Sequence, residues 1–266
     1  MAHPLRDNTY NISDTAANIA AGVGTDSVAL VDAGTVEATT SATAAEANTI
    51  ASLSQAVTYN ISDTATNVAG ANSTALNQAF NIVCTTDGTV AEVTTIESAI
   101  NTGSNTFNIK DTAANIANAG NALLSKAGTV TVDGTANVSQ AVTIGGFAQA
   151  VIYSISDSSG NALAAAGVAY NEAVDITISG NLTFAKAEII KEAGNSGTKT
   201  YVINDTAAII AGAVSATSGS IADVDTLSSA TSVTANTSAT FAEAATIAGI
   251  ATVISYSISD EQSNIP

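Results

Sequence analysis

Carboxylates are the only reactive side-chain class present in quantity: the 266-residue chain has 23 Asp and Glu against 6 Lys and Arg, with a single His and a single Cys. Six aspartates recur at one place in a repeated tract, as Asp14, Asp63, Asp111, Asp157, Asp205 and Asp260. As metal ligands they would each need several more oxygen donors around one point, and the chain contains neither a D-x-D-x-D-G loop nor a glycine-rich calcium nonapeptide. As helix caps they need only a neighbouring orphan backbone N–H, which the apolar tract after each of them supplies. Capping is the favoured reading, and no cofactor is expected; calcium suits the acidity of the column, but no motif indicates it.

Catalysis finds few parts. His3 lies in the N-terminal tail and Arg6 is the only arginine, so neither a histidine-based triad nor arginine-dependent lyase chemistry can be assembled. Two carboxylates suffice for glycoside hydrolysis, and Asp223-Val-Asp225 would place two on one face of an extended segment, but an acidic loop is the favoured reading, because catalysis also needs a defined cleft and tuned environments. Cys84 sits in the apolar run Asn-Ile-Val-Cys-Thr and reads as a small buried hydrophobe. The glycines are dispersed, with no phosphate-loop signature. The chain reads as a non-enzyme with no catalytic residue.

The elements that must position these residues are written in the repeat itself. The tract Tyr-x-Ile-x-Asp-Thr-Ala-Ala-x-Ile begins near Tyr10, Tyr59, Phe107, Tyr153, Tyr201 and Tyr256, a period of about 48 residues. Tyr10 and Ile12 fall on one face of an extended segment, and Asn11 and Ser13 on the other, which predicts a short half-buried strand. Asp14 or Thr15 then caps a helix over Ala16-Ala17-Asn18-Ile19-Ala20. Gly22, Gly70, Gly120, Gly167 and Gly212 follow at similar distances and suit left-handed C-caps.

The second half of each period has its own strand and helix, clearest in Gly128–Ile144, where Asp133-Gly-Thr-Ala-Asn-Val138 reads as a loosened copy of Asp111–Ile116. Each period therefore divides into an A half, opening on the aromatic, and a B half. The aromatic column reads as an internal stack. The Asn column at Asn18, Asn67, Asn115, Asn161 and Asn264, broken by Ile209, reads as bonding backbone groups between successive turns. The fold expected is α/β or mainly β: an elongated right-handed parallel solenoid of strand plus short helix repeats, with residues 1–9 as an N-terminal tail and 10–266 as a single array.

Composition narrows the partners. A net charge of −17 repels phosphate backbones and anionic membranes, which argues against nucleic acid. No apolar run of about 18 residues is present, so no membrane insertion is expected. Met1–Asn8 lacks the basic and apolar regions of a signal peptide.

The string DTAANIA, preceded by an aromatic-x-Ile strand and followed by a DGTA-type second strand, resembles repeats of very large secreted or surface-attached bacterial proteins. That resemblance implies adhesion, surface coats or extracellular fibres, exported without a cleaved N-terminal signal. The expectation is a noncatalytic structural protein, extracellular or on the cell surface. It would self-assemble head-to-tail into a filament or surface layer through ends marked by Tyr10 and Ile12 and by Tyr256 and Ile258. The alternative is a carbohydrate- or surface-binding adhesin module with a surface polysaccharide as partner; a polysaccharide-active β-helix enzyme and an ice-binding solenoid rank below it.

Overall fold

The computed structural model of the protein describes residues 10–162, 167–214, 221–250 and 252–261, with the backbone alone at 221–223. His3, Arg6 and Asn264 lie outside the described residues, as does the side chain of Asp223. In chain order the strands are β1 (Asn11–Asp14), β2 (Thr35–Ala38), β3 (Val57–Thr58), β4 (Ile61–Asp63), β5 (Ile82–Cys84), β6 (Asn105–Thr106), β7 (Ile109–Asp111), β8 (Val130–Val132), β9 (Val151–Ile152), β10 (Ile155–Ser158), β11 (Ile176–Leu182), β12 (Lys199–Asp205), β13 (Ser232–Ala235) and β14 (Ile254–Ser255). The helices are α1 (Ala16–Thr25), α2 (Ser27–Asp32), α3 (Ala44–Ile50), α4 (Ala65–Ala69), α5 (Ser73–Gln78), α6 (Val90–Glu97), α7 (Ala113–Ala119), α8 (Asn121–Leu124), α9 (Val138–Ile144), α10 (Gly167–Glu172), α11 (Phe184–Lys191), α12 (Ala207–Val214), α13 (Ile221–Ser229) and α14 (Phe241–Ile247). The class is mixed α/β with parallel strands, and the chain divides into two compact units, Met1–Asp111 with Ala119–Thr131, and Thr112–Asn118 with Val132–Pro266.

In the first unit β1, β2 and β3 form one parallel sheet and β4, β5 and β6 another, with Ala42 bridging to Ile61 in the same sense. In the second unit β10 to β14 form a continuous five-stranded parallel sheet. Alternation decides which side chains point inward. Along β2, Val36 and Ala38 are buried while Thr35 and Glu37 face solvent, and the register places Val36 between Ile12 and Val57. The inner row of the second unit runs Ile203, Val233, Ile254. The bonds from Ala16 to Thr40 and from Ala44 to Asp63 join neighbouring half-repeats across 24 and 19 residues, so the half-repeat is the structural unit and the 48-residue sequence period spans two of them.

The helices bury a narrow face suited to small residues. In A halves the interior positions are Ala and Ile or Val at i and i+3: Ala16 with Ile19, Ala65 with Val68, Ala113 with Ile116, Ala207 with Ile210. Alanine at the first helical position lets the helix lie close to the next half-repeat; a Cβ on Gly88 would meet the Ala65 Cβ at 3.0 Å.

The expectation of glycine stops is corrected. Of the five glycines, only Gly120 has a positive φ, and it stands at the start of α8; Gly22 and Gly212 lie inside helices, Gly167 opens one, and Gly70 ends α4 in right-handed conformation. At Gly70 the helix closes on a right-handed turn whose N–H bonds back to Thr66 and Val68, so no left-handed residue is required there, and α1 ends beyond Gly22 at Asp26. The other positive-φ glycines are Gly134 and Gly180, the second within β11 where its pairing with β12 shifts register.

Candidate functional site

Asp14, Asp63, Asp111 and Asp205 are not the N-caps of the helices that follow them. That role belongs to the next residue: Thr15 Oγ1 accepts the Asn18 N–H at 3.2 Å, and Thr64, Thr112 and Thr206 act alike on Asn67, Asn115 and Ile209. The five aspartates after Asp14 reach outward instead. Asp63 Oδ2 accepts the N–H of Ala44, the first residue of α3 in the preceding B half, at 3.0 Å. The same bond joins Asp111 to Val90, Asp157 to Val138, Asp205 to Phe184 and Asp260 to Phe241, at 2.8 to 2.9 Å.

The other carboxylate oxygen stays within its own half. Asp63 Oδ1 accepts from the Thr64 N–H at 2.7 Å and from the Asn67 side-chain amide at 2.9 Å. Asn18 and Asn161 likewise donate to Asp14 and Asp157. The Asn column at these three positions therefore orients the carboxylate of its own half, and the expected bond to backbone between turns is corrected: four residues on, the amide is within reach of the Asp, which takes its donor. Ile209 replaces the Asn beside Asp205, which keeps its bonds to Thr206 and Phe184.

A second set of caps runs the opposite way. The first N–H of each of three A helices, at Ala16, Ala65 and Ala207, is accepted by a threonine hydroxyl of the following B half: Thr40, Thr86 and Thr237. B helices carry their own N-caps, at Thr43, Thr89, Asn137 and Thr240, each closed into a reciprocal box by Glu46, Glu92, Gln140 or Glu243. This overturns the reading of Asp133–Val138 as a copy of Asp111–Ile116, because the helix after Asp133 starts at Val138 behind Asn137, while the one after Asp111 starts at Ala113. The A-to-B order thus alternates two kinds of interlock, carboxylate to peptide and hydroxyl to peptide.

The aromatic column is structural through its hydroxyls. Tyr59 donates to the Ala75 carbonyl at 2.7 Å, Tyr153 to Ala169 at 2.8 Å and Tyr201 to Thr226 at 3.0 Å, each reaching the helix of its own A half that leads into the B strand. Tyr59, Phe107, Tyr153 and Tyr201 are at most 2% exposed, whereas Tyr10 is 37% exposed, although its hydroxyl bonds Ala29. Tyr256 is half-buried. Because β2 stands between β1 and β3, the rings of Tyr10 and Tyr59 are two strand spacings apart, roughly 9.6 Å. Each is anchored through its hydroxyl within its own A half, and the two do not stack face to face.

The electrostatics follow from these bonds. Asp63 is partly desolvated, which opposes ionisation, but the Asn67 amide and the Ala44 and Thr64 N–H groups prevail and hold its carboxyl below 3.8; Asp157 is held down in the same way. Asp14 is lowered by Asn18 and Thr15. A carboxylate held ionised by peptide donors is a poor general acid at neutral pH. Burial pushes Tyr59 up to about 12 and, aided by the nearby Glu92 carboxylate, Cys84 up to about 11, so that thiol is not poised as a nucleophile.

Asp225 forms an ion pair with Lys191 at 2.9 Å from the helix α13, which replaces the extended acidic pair read from the sequence. Beside Tyr170, a crevice lined by Ala162, Lys186, Ile189 and Ile190 is too narrow to admit water. Among the described residues no group of three or more His, Cys, Asp or Glu is placed to hold a metal, and no helix is long and apolar enough to cross a membrane. Compared with known proteins, the chain matches no family model, no curated protein and no solved structure.

Proposed function

We propose that the protein is a noncatalytic structural protein of the cell surface or extracellular space. In this reading its half-repeats are turns of a right-handed parallel solenoid, and copies associate head-to-tail into a filament or surface layer. The carrying observation is the use of the recurrent side chains: the Asp, Thr, Asn and Tyr positions of the repeat are engaged in holding a half-repeat together or in fastening it to the next. A device of that kind extends by repetition and needs neither cofactor nor substrate.

Two faces lack the coverage that their equivalents have. Among the described residues no N–H reaches the second oxygen of Asp14, and β1 is a sheet edge. At the other end of the repeat series Ile258 is 53% exposed, while its equivalents Ile61, Ile155 and Ile203 are at most 1% exposed. An open strand edge and an apolar end face favour association with a matching edge. Sedimentation velocity over a rising concentration series tests this: large linear species are expected to grow with concentration, and a single monomeric boundary throughout would contradict the reading.

A further inference from the structure

Resting on that assembly reading, we propose that the joint between copies is an exchange, in which Ile12 and Asp14 of a second copy take the places of Ile258 and Asp260 on the last B half. The two tracts share one pattern, Tyr10-Asn-Ile-Ser-Asp14 and Tyr256-Ser-Ile-Ser-Asp260. The seat they would share is defined by its bonds to the resident tract: the Ala239 N–H donates to the Ser257 carbonyl at 2.7 Å, the Ser259 N–H to the Ala239 carbonyl at 2.9 Å, and the Phe241 N–H to Asp260 Oδ2 at 2.8 Å.

The arriving tract has the groups to reproduce each of these. Asn11 and Ser13 offer a carbonyl and an N–H on the edge of β1 that no described strand covers, and Asp14 offers the oxygen left open. Ile12 would enter the row beside Ala239 now held by the half-exposed Ile258. Simple abutment of the Tyr10 and Tyr256 faces supplies none of this, because it sets one A half upon another and leaves Asp14 without the first N–H of a B helix. The strand pairing of the resident tract is short, the two-residue β14 and the bridge at Ile258, so a copy that brings a complete A half can compete with it by mass action.

The Ser238 and Ser257 hydroxyls lie 3.2 Å apart across the seat, which allows the resident tract to be locked. In the 266-residue chain carrying Cys84→Ala, Ser238→Cys and Ser257→Cys, oxidation is expected to abolish the concentration-dependent species seen by sedimentation, and reduction to restore them. Deleting Tyr256–Pro266 should lower the concentration for half-assembly by about tenfold, and adding Ile12→Asp or Asp14→Ala to that shorter chain should reverse the gain. If oxidation leaves assembly unchanged, or if the shortened chain stays monomeric while the intact chain polymerises, the exchange is wrong and direct abutment of the two faces stands. If neither chain assembles at any concentration, the exchange and the assembly reading fall together.

Discussion

Removing a single hydroxyl isolates the tyrosine anchor. Tyr59→Phe leaves the ring and its burial in place but deprives the Ala75 carbonyl of its donor, and should cost about 1 kcal/mol; a change in thermal midpoint measures it, and an unchanged midpoint would mean that water serves that carbonyl as well. Asp111→Ala removes an acceptor that is only 8% exposed and orphans the Val90 N–H, for a loss of about 1 to 2 kcal/mol. Alkaline titration offers a further check on the column. Tyr59, Tyr153 and Tyr201 are each raised to about 12, chiefly by burial, so their folded pKa lies above the ordinary 10.0. Their contribution to stability is complete below pH 10 and is lost as pH climbs toward 12, and phenolate absorbance from these rings should therefore rise together with unfolding. At this scale the periodic Asp and Tyr columns could be read as structural from their recurrence. Their partners could not, because they lie 16 to 25 residues away, in the adjoining half-repeat for Asp63 and in a later helix of the same half for Tyr59 and Tyr201, and only the fold brings the two together.

Capping boxes give the B helices their boundaries, and the interlocking aspartates give the repeat its acid sensitivity. Asp63 has a folded pKa below its unfolded value, so the unfolded chain binds more protons between the two; the stability it contributes is present above about pH 4 and falls as pH drops through the folded value. Asp63→Asn should thus lower the thermal midpoint at pH 7 and flatten its decline below pH 4, a slope that a pH series of melting curves would read directly. The joint before β12 is tight in another sense: a Cβ on Gly197 would collide with the Val174 carbonyl oxygen, and Asn195 donates to the same carbonyl at 3.1 Å. Gly197→Ala should therefore destabilise the second unit by about 2 kcal/mol or more, whereas Gly24→Ala, with nothing within 4 Å of its Cβ, should not. The start signals of the B helices stood in the sequence as Thr43-Ala-Ala-Glu46, Thr89-Val-Ala-Glu92 and Thr240-Phe-Ala-Glu243, yet the comparison of Asp133–Val138 with Asp111–Ile116 concealed them. Asp-Thr-Ala and Asp-Gly-Thr-Ala look alike as strings, but Gly134 turns the chain and moves the helix start to Val138. The glycine stops failed for the opposite reason: spacing alone does not distinguish a left-handed cap from a small residue accommodated within a helix.

For the molecule as a whole, charge opposes what the repeat favours. At −17, each copy repels every other, and that repulsion is screened over about 8 Å at physiological ionic strength. Assembly should accordingly require less protein as salt is raised from about 10 mM to 500 mM, whereas joints made by ion pairs would weaken over the same range. Light scattering at fixed protein concentration reports the sign. The alternation of halves was legible in the sequence as two unlike segments per period, and parallel pairing followed from strand and helix alternating along the chain. What closes one half on the next was not, since it depends on peptide N–H groups that have no letter of their own. The most direct measurement is cryo-electron microscopy of the purified chain at high concentration and moderate salt. The account predicts linear filaments in which strands continue across the subunit boundary at the spacing found inside the chain, about 4.8 Å, with a B half always meeting an A half. Discrete monomers at every concentration, or filaments whose subunits meet through their sides, would contradict it.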